Sequence, residues 1–527
     1  MQDKFLVHWA DSVVKRIVAQ KGEKKKYVVA AGITPSGVIH IGNFREIITV
    51  DLVARALTDS GRKVRFIYSW DDYDVFRKIP GNMPKKDMLK KYLRKPIVDI
   101  PDPFETQESY ARHHEVEIEE VLPLLGINPE FLYQSKKYRS LEYVKGIKTA
   151  LQNIEKIKGI LNEYRKEPLS KEWLPISGYD PDTGSDEVEF SEYDGDNHIK
   201  MRLKGSKDWK VVDINQSPFL KLPWRIDWPM RWAHEKVDFE PGGKEHSTVG
   251  GSYTTAKDIV KIYGWEAPSY EKYDFVTIKG TGGKISSSVG NVITIKDCLE
   301  VFEPSMLRWL FAGTRPGTEF AISFDLDVIK LYEDFDRCER IYYGVDEVKE
   351  KEYLKQKRIY ELSSVSKPSK KMPYQPSFRH LTTVLSICSF DIDKVVEQYN
   401  EELKAGDYKL NEDRLRVRAL CAKNWLEKYA PDDFKFFVNS TVPNKLKISK
   451  EIRLSLHKVA EILKEKEWDP VELHNKFYEI LKENEIDNKE FFKVCYNILI
   501  NKDKGPKLAS FILTIGQEKV AELFLSI

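Results

Sequence analysis

Two separated stretches of the chain carry side chains suited to binding a nucleotide. The first, residues 32–43, contains Gly37 and Gly42 and ends with His40 and Asn43 close together. Glycines let a nucleotide approach the backbone closely, and the histidine and asparagine bring side-chain donors to its phosphates. The stretch lacks the lysine of a Walker loop and the spacing of a dinucleotide fingerprint, so those nucleotide classes match poorly. Alone it favours nucleotide binding only modestly, because many helices begin at glycine-rich turns that bind nothing.

The second stretch, residues 280–288, combines glycines, one lysine and several hydroxyl groups. A mobile loop of this composition can close over a triphosphate, and Lys284 can stabilise charge on the reacting phosphorus. Taken by itself, the same composition is also typical of a flexible hairpin with solvated serines.

A βαβ unit is predicted to position the first stretch. Residues 27–31 are continuously apolar, as in a strand buried on both faces. Apolar residues then recur at helical spacing over residues 44–57, Gly61 ends the helix, and residues 63–70 form the next predicted strand. The glycine loop therefore lies at a helix N-terminus, whose free amides and positive dipole end favour phosphate.

The two stretches together resemble the HIGH and KMSKS signatures of class I aminoacyl-tRNA synthetases. In this chain they read His40-Ile41-Gly42-Asn43 and Lys284-Ile285-Ser286-Ser287-Ser288, and Thr34-Pro35-Ser36-Gly37 precedes the first. These variants are similar to those of the class I lysyl-tRNA synthetases. Residues 224–232, 237–246 and 504–509 match the same family, so the resemblance extends over essentially the whole chain.

The resemblance implies two domains. We expect an α/β Rossmann-type nucleotide-binding catalytic domain over residues 1–335, with an insertion at about residues 82–217 that serves as the acceptor-stem module. After about Glu339 the strand pattern all but disappears, and lysine-rich amphipathic helices continue to the C-terminus. Residues 336–527 are expected to form the all-α anticodon-binding domain, the α-helix cage of the family. A protein-docking module is the alternative for this helical region.

The activity implied by the resemblance is ATP-dependent attachment of L-lysine to tRNA(Lys) via lysyl-adenylate, with release of AMP and pyrophosphate. The lysine carboxylate itself attacks the α-phosphorus, so catalysis depends on positioning and charge stabilisation. His40 and Lys284 are the expected catalytic residues, and Mg²⁺ accompanies ATP and pyrophosphate. Ser287 stands where the family signature has its second lysine, so Lys284 is expected to act alone. The expected ATP-binding residues are Thr34, Pro35, Ser36, Gly37, His40, Gly42, Asn43, Lys284, Ile285, Ser286, Ser287 and Ser288.

The expected lysine-binding residues are Gly32, Thr34, Asp71, Trp224 and His246. Glutamyl-type relatives have an arginine at the position of Gly32, and that cation would oppose the ammonium of lysine. Asp71 occupies the place of an acid that holds the substrate's α-ammonium in those relatives, and Trp224 can cover the aliphatic stem or engage the ammonium by cation–π attraction. The structural alternatives are a strand-to-loop bend at Gly32, a solvated acidic turn at Asp71 and a core position for Trp224.

Structural zinc is not expected. Relatives carry zinc-binding cysteine pairs in the insertion, whereas no cysteine of this chain precedes Cys298. Thr106 and Gln107 stand where some relatives have cysteine and histidine. The neighbouring His113 and His114 lie on a predicted polar helix, where histidines are usually solvated.

The composition sets the remaining bounds. A chain of 527 residues is long enough for more than one domain. Its 85 Lys and Arg residues against 83 Asp and Glu give a net charge of +2, so nucleic-acid contact requires local basic patches. Five scattered cysteines indicate a reducing compartment, and neither a membrane-spanning run nor the apolar core of a signal peptide is present. We expect a cytoplasmic, monomeric protein without membrane contact.

Two other functions fit parts of the pattern. A catalytically silent tRNA-binding relative would keep the helical region but lose His40 or Lys284, and both are present. A class I synthetase of glutamyl type would share the fold but require a cationic substrate pocket.

Overall fold

A computed structural model describes residues 7–279, 292–443 and 446–527. The chain divides into two units. The first comprises Met1–Leu299, Pro304–Ile322 and Cys338–Pro368, and the second comprises Glu300–Glu303, Ser323–Arg337 and Ser369–Ile527.

The strands are, in chain order, β1 (Lys26–Ile33), β2 (Lys63–Trp70), β3 (Glu130–Tyr133), β4 (Ser177–Gly178), β5 (Val188–Ser191), β6 (His198–Leu203), β7 (Lys210–Asp213), β8 (Leu220–Lys221), β9 (Phe239–Gly243), β10 (Ser269–Tyr273), β11 (Val276–Ile278) and β12 (Phe320–Ile322). The helices are α1 (Trp9–Lys21), α2 (Ile41–Asp59), α3 (Lys86–Lys90), α4 (Tyr110–Val121), α5 (Gln134–Arg139), α6 (Val144–Gln152), α7 (Ile154–Asn162), α8 (Trp224–Glu235), α9 (Ser252–Ile262), α10 (Ile295–Val301), α11 (Pro304–Ala312), α12 (Asp327–Tyr342), α13 (Glu350–Ser363), α14 (Phe378–Ile387), α15 (Ile392–Gln398), α16 (Asn400–Lys404), α17 (Tyr408–Lys428), α18 (Lys450–Leu463), α19 (Pro470–Glu483), α20 (Asn488–Ile500), α21 (Leu508–Ile515) and α22 (Gln517–Leu525).

A five-stranded parallel sheet forms the centre of the first unit. Its strand order is β10-β9-β1-β2-β3, so β1 lies in the middle and the two crossover halves extend from it in opposite directions. β1 pairs with β2 along its whole length, from Lys26 opposite Lys63 to Ile33 opposite Trp70. The residues between Tyr27 and Ala31 are buried, as their continuous hydrophobicity predicts. The α/β Rossmann-type class is confirmed.

Helix α2 links β1 to β2, as predicted, and it is buried on nearly every side. Its fully buried Arg45 donates hydrogen bonds to the backbone carbonyls of Arg315, Pro316 and Thr318 at 2.6, 2.8 and 3.1 Å. The first helix of the βαβ unit is thereby bound to the segment that precedes β12. A rigid α2 fixes the position of its own N-terminus beside the end of β1.

The interval between β2 and β9 differs from the single insertion predicted at about residues 82–217. Its strand β3 belongs to the central sheet, paired in parallel with β2. Four residues are too few for a periodic signal, which explains why the sequence did not reveal this strand. The rest of the interval forms short helices, a three-stranded antiparallel sheet of β5, β6 and β7, and the small β4–β8 pair.

A buried arginine ties Cys338–Pro368 to the first unit, although the sequence suggested a boundary after residue 335. Arg308 on α11 donates to the carbonyls of Leu362 and Ser363 at 2.8 and 3.1 Å. It also donates to Leu125 O at 3.1 Å and to the Asp51 carboxylate at 2.6 Å. The chain passes into the second unit for the last time after Pro368, and the two earlier segments Glu300–Glu303 and Ser323–Arg337 also belong to that unit.

The second unit is helical throughout its described residues, as predicted for the C-terminal region. The apolar faces of α18 to α22 enclose its main core. Arg418 is fully buried and donates to Glu303 at 2.6 Å and to Asp336 at 2.7 and 2.9 Å. Within the described ranges, no helix has the length and apolar character needed to cross a membrane.

Candidate active site

A cavity of about 80 Å³ opens at the carboxyl ends of β1, β2 and β9. Parallel sheets bind ligands at this edge, because the strand ends leave polar backbone and side chains free. We call it the strand-end cavity. It is lined by Ala30, Ala31, Gly32, Glu46, Ile67, Ser69, Asp71, Leu132, Gln134, Trp224, Trp228, Arg231, Trp232, Glu235, Val237, Glu240, Pro241, Gly242 and His246.

Four of the five residues expected to bind the amino acid line this cavity: Gly32, Asp71, Trp224 and His246. They come from β1, the end of β2, α8 and the segment after β9, so the fold brings together positions far apart in sequence. Thr34 instead lines a neighbouring cavity of about 340 Å³ with Ser36 and Asp74. Its hydroxyl donates to Asp74 at 3.0 Å.

Gly32 is packed tightly against β2. A Cβ at this position would lie 2.9 Å from both the Cβ and the carbonyl oxygen of Ser69. Every other residue would therefore push β1 and β2 apart at the cavity edge. Glycine is thus required here for steric reasons as well as for the absence of a positive charge. An arginine substitution would change both the available space and the charge of the cavity.

Asp71 is already paired with a cation. Arg231 on α8 donates to its carboxylate at 2.6 Å and also lies 3.2 Å from Asp227. Asp227 accepts a further, short hydrogen bond from the Tyr138 hydroxyl. Burial alone would lower the pKa of Arg231, but the two carboxylates hold it well above its ordinary value. The cavity thus contains an arginine whose charge is balanced by two acids.

Three further acids line the cavity that the sequence analysis did not single out: Glu46, Glu235 and Glu240. The half-buried Glu46 on α2 accepts hydrogen bonds from Gly32 N–H at 3.0 Å and from the Tyr273 hydroxyl at 2.6 Å. Glu240 on β9 accepts from the indole N–H groups of Trp228 and Trp232 at 3.0 and 2.5 Å. Desolvation raises the pKa of Glu46 to about 8 and that of Glu240 to about 7. Neither stands out in the sequence, because other buried charged residues accompany it: Arg45 and Asp51 on α2 with Glu46, and Asp238 next to β9 with Glu240.

The tryptophans of α8 form one wall of the cavity. The rings of Trp224 and Trp228 are stacked with centroids 5.1 Å apart, and those of Trp228 and Trp232 are 4.6 Å apart. Trp224 is 37% exposed at the outside, whereas Trp228 and Trp232 are 6% and 1% exposed. His246 lies 5.8 Å from the Trp228 ring, and burial lowers its pKa. This wall suits an aliphatic chain that enters from the Trp224 end.

The expected phosphate-binding residues lie around the start of α2. His40 is the residue before the first helical turn, and its backbone N–H donates to the Asn43 side-chain oxygen at 3.1 Å. A Cβ at Gly42 would lie 2.8 Å from two atoms of the His40 ring, so glycine leaves room for that ring. Gly37 and Pro35 are buried within the loop, and Ser36 is exposed. The arrangement presents helix-terminal amides and an imidazole at one place.

The remaining predicted nucleotide-binding residues, Lys284, Ile285, Ser286, Ser287 and Ser288, lie outside the described residues. The described chain stops after β11, which pairs in parallel with β12, and resumes before α10.

The loop compared above with zinc-binding relatives is closed by hydrogen bonds. Asp102 accepts from the backbone N–H groups of Phe104, Thr106 and Gln107 at 3.0, 2.8 and 2.9 Å. These bonds hold the pKa of Asp102 below its ordinary value, against its desolvation. The Thr106 hydroxyl also bonds Asp102 at 3.0 Å and lies 2.8 Å from Nδ1 of His113. The hydroxyl of Thr106 therefore links Asp102 to His113, and no cysteine takes part in this loop.

Two groups of described side chains are close enough to hold a metal ion: His113 with His114 and Glu117, and Glu142 with His234 and Glu235. In the second group Lys137 already lies 2.7 Å from Glu142 and 3.0 Å from Glu235. In the first group His114 is fully buried, and desolvation lowers its pKa.

Comparison with known proteins gives concordant matches. The family model described as tRNA synthetases class I (K) matches residues 7–366. The chain is 48% identical to a lysine–tRNA ligase of Borreliella burgdorferi over 98% of each chain. It is 45% identical to that of Treponema pallidum over 98% of this chain and 97% of the relative. Identity to the lysine–tRNA ligase of Thermococcus kodakarensis is 43% over 98% of each.

Proposed function

The chain belongs to the class I (K) tRNA synthetases and is an enzyme that uses ATP to join lysine to tRNA, and we propose that lysine is activated in the strand-end cavity. The observation that carries this placement is that two acids of the cavity, Glu46 and Glu240, have only neutral hydrogen-bond donors. A cationic amino acid would favour the ionised form of both groups. A glutamate-type substrate would instead add a third acidic group to the cavity.

In this proposal the α-carboxylate of lysine lies towards the start of α2. His40, Asn43 and the first amides of α2 hold the ATP phosphates, and Lys284 stabilises charge on the α-phosphorus during attack. Lysine's carboxylate displaces pyrophosphate and forms lysyl-adenylate. Mg²⁺ bound to ATP and pyrophosphate neutralises part of their charge. The 2′-hydroxyl of the terminal adenosine of the tRNA then accepts the lysyl group and AMP leaves.

We assign Asp71, with its partner Arg231, to the α-ammonium side of the substrate, and Trp224 and His246 to the outer wall. Thr34 lines the adjoining cavity, and we assign it to contact with the nucleotide or with the end of the tRNA. The helical second unit is proposed to receive the anticodon of tRNA(Lys), and its exposed lysines supply the phosphate contacts. The protein is proposed to act as a cytoplasmic monomer without structural zinc.

Two assays test this proposal. With tRNA present, both ATP–pyrophosphate exchange and aminoacylation should proceed with lysine among the twenty amino acids, and aminoacylation should require tRNA(Lys). Exchange with glutamate in place of lysine would refute the proposed substrate. Binding of tRNA without any exchange would favour a catalytically silent protein.

A further inference from the structure

The acids that line the strand-end cavity fall into two groups by their partners. Asp71 pairs with Arg231 at 2.6 Å, and Glu235 pairs with Arg65 at 2.7 Å. Glu46 and Glu240 accept hydrogen bonds from an amide, a hydroxyl and two indoles, all of them neutral. The cavity therefore holds two acids without a cationic hydrogen-bond partner, and a cation that enters it would favour their ionised form.

Glu240 lies at the inner end of the tryptophan wall. It is 9% exposed, and its two carboxylate oxygens each accept from a different indole, Oε1 from Trp228 and Oε2 from Trp232. The two bonds fix the plane of the carboxylate and leave its other lone pairs directed elsewhere. A carboxylate oriented in this way is prepared for a cation that approaches along the wall.

The two ends of the bound amino acid must lie in different parts of the cavity. Its reactive carboxylate has to reach the nucleotide near the start of α2, which places the α-carbon beside Asp71. An unbranched side chain extending inwards along Trp224 and Trp228 then ends close to Glu240. The aliphatic part contacts aromatic faces, and only its terminal nitrogen meets a carboxylate.

We propose that Glu240 is the counter-ion of the ε-ammonium group of lysine and that Trp228 and Trp232 position its carboxylate. Glu46, which faces the same cavity from α2, is a second acid whose ionised form a cationic side chain would favour. This inference rests on the proposed function, since it names the recognition element for the amino acid. Substrates of similar length without a terminal charge would leave Glu240 buried and unpaired, and they are rejected for that reason.

The first test replaces Glu240 by the uncharged residue of the same shape. Glu240→Gln should raise the KM for lysine in ATP–pyrophosphate exchange by about 10²-fold, with kcat changed only a few-fold, because a desolvated charge pair is lost. Glu240→Asp keeps the charge and should lose less. Glu115→Gln is the matched control: Glu115 is 2% exposed on α4, its pKa is also raised by desolvation, and it does not line the cavity. Its KM should equal that of the wild type.

The second test identifies which ammonium group Glu240 contacts. Norleucine lacks the ε-ammonium, and 6-aminohexanoate lacks the α-ammonium. As competitive inhibitors of exchange, 6-aminohexanoate should bind at least tenfold more weakly to Glu240→Gln than to the wild type, and norleucine should bind equally well or better. The reverse pattern would assign Glu240 to the α-ammonium and overturn the proposal.

The outcomes separate this inference from the proposed function. Wild-type protein that exchanges lysine, together with an unchanged lysine KM in Glu240→Gln, refutes the role of Glu240 alone. Wild-type protein that does not use lysine refutes both. If Glu240→Gln does not fold, as judged by circular dichroism, the same inhibitor pair applied to Glu240→Asp decides, because withdrawing the carboxylate should weaken 6-aminohexanoate and leave norleucine unchanged.

Discussion

The acids on the two sides of the strand-end cavity differ in their hydrogen-bond partners. On one side Asp71 and Asp227 share the fixed cation Arg231, so their charges are balanced before any ligand arrives. On the other side Glu46 and Glu240 are held by neutral donors, and desolvation raises the pKa of both. The first arrangement balances charge within the fold, and the second leaves carboxyl groups whose ionised form a cationic ligand would favour.

Removing Arg231, the cation shared by Asp71 and Asp227, should have the largest effect on stability. Arg231→Met leaves two buried carboxylates without a cation and should destabilise the first unit by about 3–5 kcal/mol. Thermal unfolding followed by circular dichroism measures this. Arg225→Met, on the same helix but exposed, is the control and should leave the melting temperature unchanged. Equal melting of both variants would mean that the Arg231 pairs do not hold the fold.

Lys284 is proposed to act in the chemical step, unlike the acids of the cavity, which are proposed to bind the amino acid. Lys284→Ala should lower kcat by about 10²–10³-fold and leave the KM for lysine nearly unchanged, because one preorganised stabilising charge is lost. Steady-state exchange kinetics separate the two constants. Near wild-type turnover would remove Lys284 from the mechanism, and a raised lysine KM would place it in the amino-acid site instead.

The burial of Glu240 should make the free energy of unfolding depend on pH. The pKa of Glu240 rises from its ordinary 4.5 to about 7 in the fold. A raised carboxyl pKa means that the folded protein binds the proton more tightly, so this group contributes least destabilisation below about pH 4.5 and progressively more as the pH rises to about 7. Glu240→Gln removes that penalty, which amounts to at most about 3 kcal/mol. It should therefore melt higher than the wild type at pH 8 and at nearly the same temperature near pH 5.

Saturating lysine sharpens the same measurement. It should raise the melting temperature of the wild type at pH 8 and have less effect on Glu240→Gln. A variant that melts lower than the wild type at both pH values would show that the indole hydrogen bonds outweigh the burial of charge.

The smallest effect is expected away from the cavity. Thr106→Val removes the hydroxyl between Asp102 and His113 while keeping the side-chain shape, and should cost about 1 kcal/mol. Metal analysis of the wild type should find sub-stoichiometric zinc, and a chelator should not shift its melting temperature. Tightly bound zinc, or unfolding by the chelator, would contradict a loop closed by hydrogen bonds.

Features that depend on neighbouring residues could be predicted from the sequence, whereas features that depend on contacts between distant residues could not. Local patterns identified β1, α2 and β2, and the glycine loop between them, because each depends on neighbouring residues. The pairing of Asp71 with Arg231 joins positions 160 residues apart, and no local pattern reports it. Glu46 and Glu240 have other charged residues near them in the sequence, and only the fold shows that both line the cavity. The four-residue β3 was too short to be seen.

The buried hydrogen bonds of Arg308 determine where this chain can be divided into stable fragments. Its guanidinium is fully buried and uses the carbonyls of Leu362 and Ser363 as two of its acceptors. A recombinant fragment ending at residue 335 would remove both acceptors and leave the arginine partly unsatisfied in the interior. A fragment ending after Pro368 would keep them. Proteases acting on the native protein should accordingly leave α13 attached to the nucleotide-binding portion, and an exchange of C-terminal portions between relatives should join them beyond α13 to remain soluble.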